Sequence, residues 1–200
     1  MVPLLVAVTG GYLLGSVPVA VLVARMYGVD PRDRGDRNPG YWNVKELLGP
    51  RAAVPVFAGD MLKGTLAGLL GLLVSGFHVT GFGVVTGDSV LPAYAGVAAA
   101  MIGHAWPVFA GLRGGRSVLA FAGGVAALCP PAFLLAVVLL VVTALATRSF
   151  AVGARAGVFA VPLAQVPFTP LLQVAATGAL MCLIGLRFAE AALRRRTGRR

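Results

Sequence analysis

The sequence predicts an all-α polytopic membrane protein, and three observations carry that prediction. Of 200 residues, 58% are hydrophobic and 12% charged, with a mean hydropathy of +0.87, a balance that belongs to chains immersed in lipid. The 17 Lys and Arg residues fall into four clusters plus Lys63: Arg25 to Arg51, Arg113 to Arg116, Arg148 to Arg155 and Arg187 to Arg200. The gaps between clusters each hold a pair of spans, and the connection inside each pair is free of Lys and Arg. These connections lie near Phe77 to Leu91, Cys129 to Pro131 and Gln165 to Pro170. Basic residues collect on the cytoplasmic side of membrane proteins. Placing all four clusters there requires an odd number of spans, about seven, with the N-terminus outside and the C-terminus cytoplasmic. The net charge of +10 is explained by that placement and implies no nucleic acid. No separate soluble domain or internal repeat is visible, so residues 1–200 read as one integral-membrane domain with a basic cytoplasmic tail at 187–200.

Taken in order, Val2 to Ala24 is long enough to cross, and Gly10, Gly11, Gly15, Ser16 and Pro18 supply small residues for close helix approach. No basic segment precedes it and no small-residue cleavage site follows before the charged loop, so it reads as a span and not as a cleaved signal. The loop Arg25 to Arg51 leads to a second span, Ala52 to Gly76. After the outer connection a third span runs to Leu112. Val118 to Leu128 is too short to cross a core of about 30 Å at about 1.5 Å per residue, so it is expected to extend into its flanks or to sit re-entrant. Pro131 to Ala146 and Val152 to Ala164 are also short, and Leu171 to Leu186 is the last span. Cys129 and Cys182 lie far apart without metal-ligand spacing and read as apolar packing residues. His78 reads as an outer-surface residue.

Three stretches carry chemistry. Gly103 to Ser117 ends a span in a glycine turn between two arginines. Gly114 and Gly115 are expected to take positive φ and to bare backbone N–H groups, while Arg113 and Arg116 bring permanent charge and forked donors suited to phosphate. A positive-inside anchor with a tight turn is the other reading. In the first loop, Asn38 and Asn43 flank a Pro39-Gly40 turn; the amides either donate to ligand oxygens beside the Gly40 backbone or cap their own turn. Asp60 and Lys63 stand three apart on one helix face at membrane depth, either as an internal salt bridge or as support for a substrate. Arg148 and Arg155 add positive charge to the same leaflet, and Arg155 is able to snorkel to the headgroups.

The chain resembles the bacterial PlsY-type acyl-phosphate:glycerol-3-phosphate acyltransferases over nearly its full length. The resemblance rests on Tyr12-Leu13-Leu14-Gly15-Ser16-Val17-Pro18, on Gly35 to Val44, and on Asp60-Met61-Leu62-Lys63-Gly64. It continues through Gly103-His104-Ala105-Trp106-Pro107-Val108-Phe109, Arg113-Gly114-Gly115-Arg116 and Thr147-Arg148. It implies a seven-helix enzyme of the bacterial plasma membrane that moves a fatty acyl group from acyl phosphate to glycerol 3-phosphate. The product is lysophosphatidic acid, and no cofactor or metal takes part. Carried onto these motifs, the implied catalytic residues are Asn38, Asn43, His104 and Arg116. The implied phosphate binders are Gly40, Arg113, Gly114, Gly115 and Arg148, with Asp60 and Lys63 in support. The partners are the two substrates and the bilayer, and nothing in the sequence fixes an oligomeric state. Such a reaction needs cations and N–H donors at the interface beside an apolar groove. The donor is already activated, so positioning and charge neutralisation supply much of the catalysis.

Several positions depart from the family's usual pattern. Asp36 stands at a serine, Arg37 at a glycine, Tyr41 and Trp42 at Ala-Thr, and Glu46 at an arginine. Ser117 replaces the last glycine of a Lys-Gly-Gly-Lys-Gly run, and Phe188 and Ala191 replace a histidine and an asparagine. Asp36 and Glu46 are expected to repel a phosphate unless Arg37 or Lys45 compensates. The alternative to an enzyme is a chain that keeps the scaffold without turnover and binds anionic lipid or a membrane partner.

Overall fold

A computed structural model describes residues 1–76, 78–79, 85–86 and 90–197. The order is α1 (Val2–Ser16), α2 (Val19–Arg25), α3 (Tyr41–Leu48), α4 (Pro50–Ser75), a two-residue antiparallel pair β1 (His78–Val79) and β2 (Val85–Thr86), α5 (Leu91–Ala105), a 3-10 turn (Val108–Ala110), α6 (Val118–Leu128), α7 (Pro130–Thr147), α8 (Phe150–Gln165) and α9 (Leu171–Thr197). The chain is an all-helical integral membrane protein. Among the described residues, five stretches are long and apolar enough to cross a bilayer: Val2–Arg25, Pro50–Ser75, Leu91–Ala110, Pro130–Thr147 and Leu171–Arg194. The expected loop between the second and third spans lies largely outside the described residues, as does the side chain of His78.

Several expected boundaries are corrected, each by local chemistry. Inside the first span, Val2–Arg25, the helix breaks at Pro18: Val17 takes an extended conformation with ψ 113°, as a residue before proline prefers. Trp106, before Pro107, is likewise non-helical at φ −132° and ψ 71°, so the third helix stops at Ala105 and not at Leu112. Helix α6 keeps its 11 residues and does not extend into its flanks. The next two helices are longer than expected, and the Ser149 hydroxyl accepts the Val152 N–H at the start of α8. The basic tail is no tail through residue 197: α9 continues in one helix past Leu186.

Small residues let α1, α4, α5 and α6 approach at backbone distance. A Cβ on Gly15 would collide with the Ala100 carbonyl of α5, and one on Gly64 with the Ala120 carbonyl of α6. In lipid no hydrophobic force pulls helices together, so such close packing does that work. The core runs through Leu72, Tyr94, Val97, Met101, Phe121, Val125 and Leu128, with Val161, Leu180 and Ile184 closing it from α8 and α9. Helix α7 buries little of its surface, and its exposed Leu134, Leu135, Val138, Val142 and Leu145 form a lipid-facing side. Buried Cys129 packs as expected, whereas Cys182 is exposed on α9.

Candidate active site

Helix α4 is pressed against the break between α1 and α2 on one side and the end of α5 on the other. That arrangement brings together three titratable side chains read in two separate motifs. Lys63 and Asp60 are 5% and 2% exposed. The Lys63 ammonium donates to the Val17 carbonyl at 2.8 Å, lies 2.9 Å from Asp60 Oδ1 and is 3.3 Å from His104 Nδ1. His104 Nδ1 is 3.5 Å from the same carboxylate oxygen. Asp60 Oδ1 thus sits at ion-pair distance from both without an aligned hydrogen bond. The Lys63 ammonium and the Asp60 carboxylate offset each other, and burial tolerates charge only when it is paired in this way. The salt-bridge reading of Asp60 and Lys63 holds, and His104 joins the pair.

A narrow cleft opens beside this cluster. Gly15, Val17 to Val21, Pro39, Asp60, Lys63, His104, Pro107, Arg113, Gly114 and Gly115 line it. The glycines here serve close approach and not turn geometry. Neither Gly114 nor Gly115 has positive φ; the left-handed residues of this segment are Gly111, Leu112 and Ser117. A Cβ on Gly114 would strike the His104 carbonyl, and one on Gly115 would strike the His104 ring. The Gly115 N–H is also engaged, donating to the His104 carbonyl at 3.0 Å, so it is not a free donor for an anion. Ser117 tolerates φ 62° where a glycine is usual because its hydroxyl donates to the Met101 carbonyl at 2.7 Å.

The first loop folds over the second through the guanidinium groups of Arg32, Arg113 and Arg116. Arg32 donates to the Ala110 carbonyl at 3.0 Å while its guanidinium also grips Asp30. That grip holds the Asp30 carboxyl well below the usual aspartate range and raises Arg32 further. Arg113 pairs with Asp33 at 2.9 Å, and Arg116 with Asp36 at 3.0 Å. Arg116 is held on its other face by the Phe188 ring, 4.9 Å from the guanidinium. The expectation that Asp36 and Glu46 repel a phosphate unless Arg37 or Lys45 compensates is corrected in the identity of the compensating cation. Asp36 is neutralised by Arg116, not by Arg37 or Lys45. Glu46 accepts the Trp42 indole N–H and lies outside the cleft lining, because Trp42 stacks on Phe150 and turns that side of α3 away.

The remaining expected residues divide. Asn43 is fully buried and committed to the loop: its amide donates to the Pro31 and Arg34 carbonyls and its oxygen accepts the Asp36 N–H. It is a frame and not a ligand donor. Asn38 is half-buried beside Pro39, and its carboxamide lies 3.0 Å from where a Gly40 Cβ would stand. Arg148 caps α7 at φ 50°, exposed and outside the cleft. Sequence reasoning missed Arg187. Its side chain is 14% exposed, and its guanidinium donates to the carbonyls of Gly115 and Gly114 at 3.1 Å each, pairs with Glu190 and lies 4.8 Å from the Trp106 ring centre. The one local signal was Glu190 three residues on; otherwise Arg187 reads as the first charge beyond a span.

Known proteins match this chain along nearly its whole length. A family model described as glycerol-3-phosphate acyltransferase covers residues 5–198. A glycerol-3-phosphate acyltransferase of Rubrobacter xylanophilus is 44% identical over 138 residues, 69% of this chain and 63% of that protein, so this match spans a little under two thirds of the relative. One from Neisseria meningitidis serogroup A is 36% identical over 183 residues, 90% of this chain and 88% of that protein. Among solved structures, PlsY (YgiH), described as an integral membrane glycerol 3-phosphate acyltransferase in its glycerol 3-phosphate form, superposes with a TM-score of 0.79. It is 31% identical, and the match covers 98% of this chain and 93% of that one. The lysophosphatidic acid form of the same protein matches with a TM-score of 0.76.

Proposed function

The chain belongs to the glycerol-3-phosphate acyltransferase family, and from that membership we propose that it makes lysophosphatidic acid by moving a fatty acyl group from acyl phosphate to glycerol 3-phosphate at the cleft around His104. The observation that carries this reading is the Asp60–Lys63–His104 cluster packed under Arg113, Gly114 and Gly115. With the Lys63 ammonium donating to Nδ1, His104 carries a proton on Nε2 and offers a donor on the side that packs against Gly115. Arg113, and Arg116 once Asp36 yields, supply cations for the two phosphates.

The acceptor hydroxyl attacks the acyl carbonyl, a new C–O ester bond forms, and the bond to the leaving phosphate breaks. Asp60 is held by Lys63 and His104 Nδ1 faces the same ammonium, so neither is a free base. The hydroxyl proton goes to the departing phosphate, which is basic enough to take it. The protein's part is positioning and neutralisation of charge that grows on the carbonyl oxygen and the leaving group. The exposed apolar faces of the surrounding helices suit the acyl chain. Seven passes, an external N-terminus and a cytoplasmic C-terminus complete the proposal, because they gather the basic clusters on one side.

The test uses membranes bearing the full-length protein, labelled glycerol 3-phosphate and either palmitoyl phosphate or palmitoyl-CoA. Extractable lysophosphatidic acid is expected from the first donor alone. Product from the thioester alone would contradict the donor, and product from neither would contradict the function.

A further inference from the structure

We propose that Arg187 is a positioning residue for acyl transfer: it holds the Gly114–Gly115 backbone against His104 and thereby sets the place of the His104 ring. The inference rests on the acyltransferase reading for its kinetic consequence and on geometry alone for the brace. Arg187 reaches the turn from α9, 72 and 73 residues away in sequence, and donates to two successive carbonyls at 3.1 Å. A forked guanidinium fits two neighbouring acceptors; a lysine ammonium offers no such planar pair. Glu190, one turn further along α9, pairs with the same guanidinium, and the Trp106 ring covers it. The head group is therefore fixed in three directions while remaining mostly buried.

The consequence follows from peptide geometry. A trans peptide points its N–H opposite its carbonyl, and the chain has no cis bonds among the described residues. With the Gly114 carbonyl turned to Arg187, the Gly115 N–H must face the other way, and it meets the His104 carbonyl at 3.0 Å. With the Gly115 carbonyl turned to Arg187, the Arg116 N–H also faces away from α9. The same bonds press both glycines onto His104, where neither has room for a Cβ. Arg187 thus acts through this segment on His104, and it needs no contact with either substrate. Its effect belongs in kcat, because the turn is aligned with the reacting groups, whereas a phosphate ligand would act on KM.

Arg187→Lys, Arg187→Ala and Glu190→Gln are compared with the native full chain in detergent, by initial rates and by hydrogen exchange of the segment 106–117. Arg187→Lys is expected to lower kcat at least tenfold with KM for glycerol 3-phosphate within threefold of native. Added guanidinium is expected to restore part of the Arg187→Ala rate, and Glu190→Gln to give a smaller loss. Exchange in 106–117 is expected to quicken several-fold in Arg187→Lys while Tm stays near native, and this reading holds whether or not the native protein accepts glycerol 3-phosphate. Native turnover at that acceptor is scored separately, so its absence counts against the function and not against the brace. Unchanged exchange, a rise in KM at constant kcat, or a Tm loss that tracks the rate without guanidinium rescue would each overturn the proposal.

Discussion

Arg116 is the residue on which the site's electrostatics turn. It lies between a carboxylate at 3.0 Å and an aromatic face at 4.9 Å, both supplied by positions where the family usually has other residues. Asp36 neutralises the cation that a phosphate would use, so it competes with substrate without repelling it. Asp36→Ser is therefore expected to lower KM for glycerol 3-phosphate several-fold; a KM that is unchanged or raised would show that Asp36 orients Arg116 for its ligand. Arg116→Ala is expected to weaken binding of a non-hydrolysable acyl-phosphate analogue about tenfold or more, because a charge-assisted contact contributes roughly 1.5 to 3 kcal/mol. Arg155→Ala, removing an exposed side chain of α8, is expected to change binding little. Equal small effects of the two would remove Arg116 from the site. The i, i+3 pairing of Asp60 and Lys63 was readable from spacing, since that contact is local. The partnerships of Asp36 with Arg116 and of Arg187 with Gly114 and Gly115 were not, because each joins residues far apart in sequence through tertiary packing alone.

At the scale of elements, two prolines shape the cleft. Pro18 breaks the first span so that the Val17 carbonyl meets Lys63, and Pro107 ends α5 so that the chain turns back onto His104. Both prolines were visible in the sequence, and the spans Val2–Arg25 and Leu91–Ala110 do run through them; the helix breaks inside those spans were not read, since hydropathy records burial in lipid and not backbone direction. The glycine turn was also misassigned: Gly114 and Gly115 are small because His104 needs their space, and the left-handed turns fall on their neighbours. The first loop is anchored by Arg32, which joins Asp30 to the Ala110 carbonyl. The hydrogen bonds from Arg32 keep Asp30 ionised below its ordinary pKa of about 3.9, so its contribution is fully present above that value and is lost as pH falls below it. Thermal unfolding of native protein and Asp30→Asn is expected to differ at pH 7 and to converge as the pH is lowered below about 4. A gap that persists undiminished in acid would assign the anchor to something other than the Asp30 charge.

For the whole molecule, composition alone was enough to read the membrane class, because a chain that is 58% hydrophobic has no soluble way to bury its surface. Helix count was harder, since five stretches among the described residues meet the length for a span while α6 and α8 have 11 and 16 residues. The proposed seven-pass arrangement would put the cleft, the ties between the two loops and the Arg187 brace at the cytoplasmic end. Reporter fusions after Asp88 and after Arg200 are expected on opposite faces of the membrane, and the same face for both would refute it. The central claim, that acyl transfer occurs in the cleft around His104, is tested most directly by the turnover number of His104→Ala in purified, folded protein given palmitoyl phosphate and glycerol 3-phosphate. Removing one positioned donor from a site that works by electrostatics costs on the order of a hundredfold in kcat, so a loss of about that size with a near-native Tm is the predicted result. Turnover of His104→Ala at the native rate would contradict it.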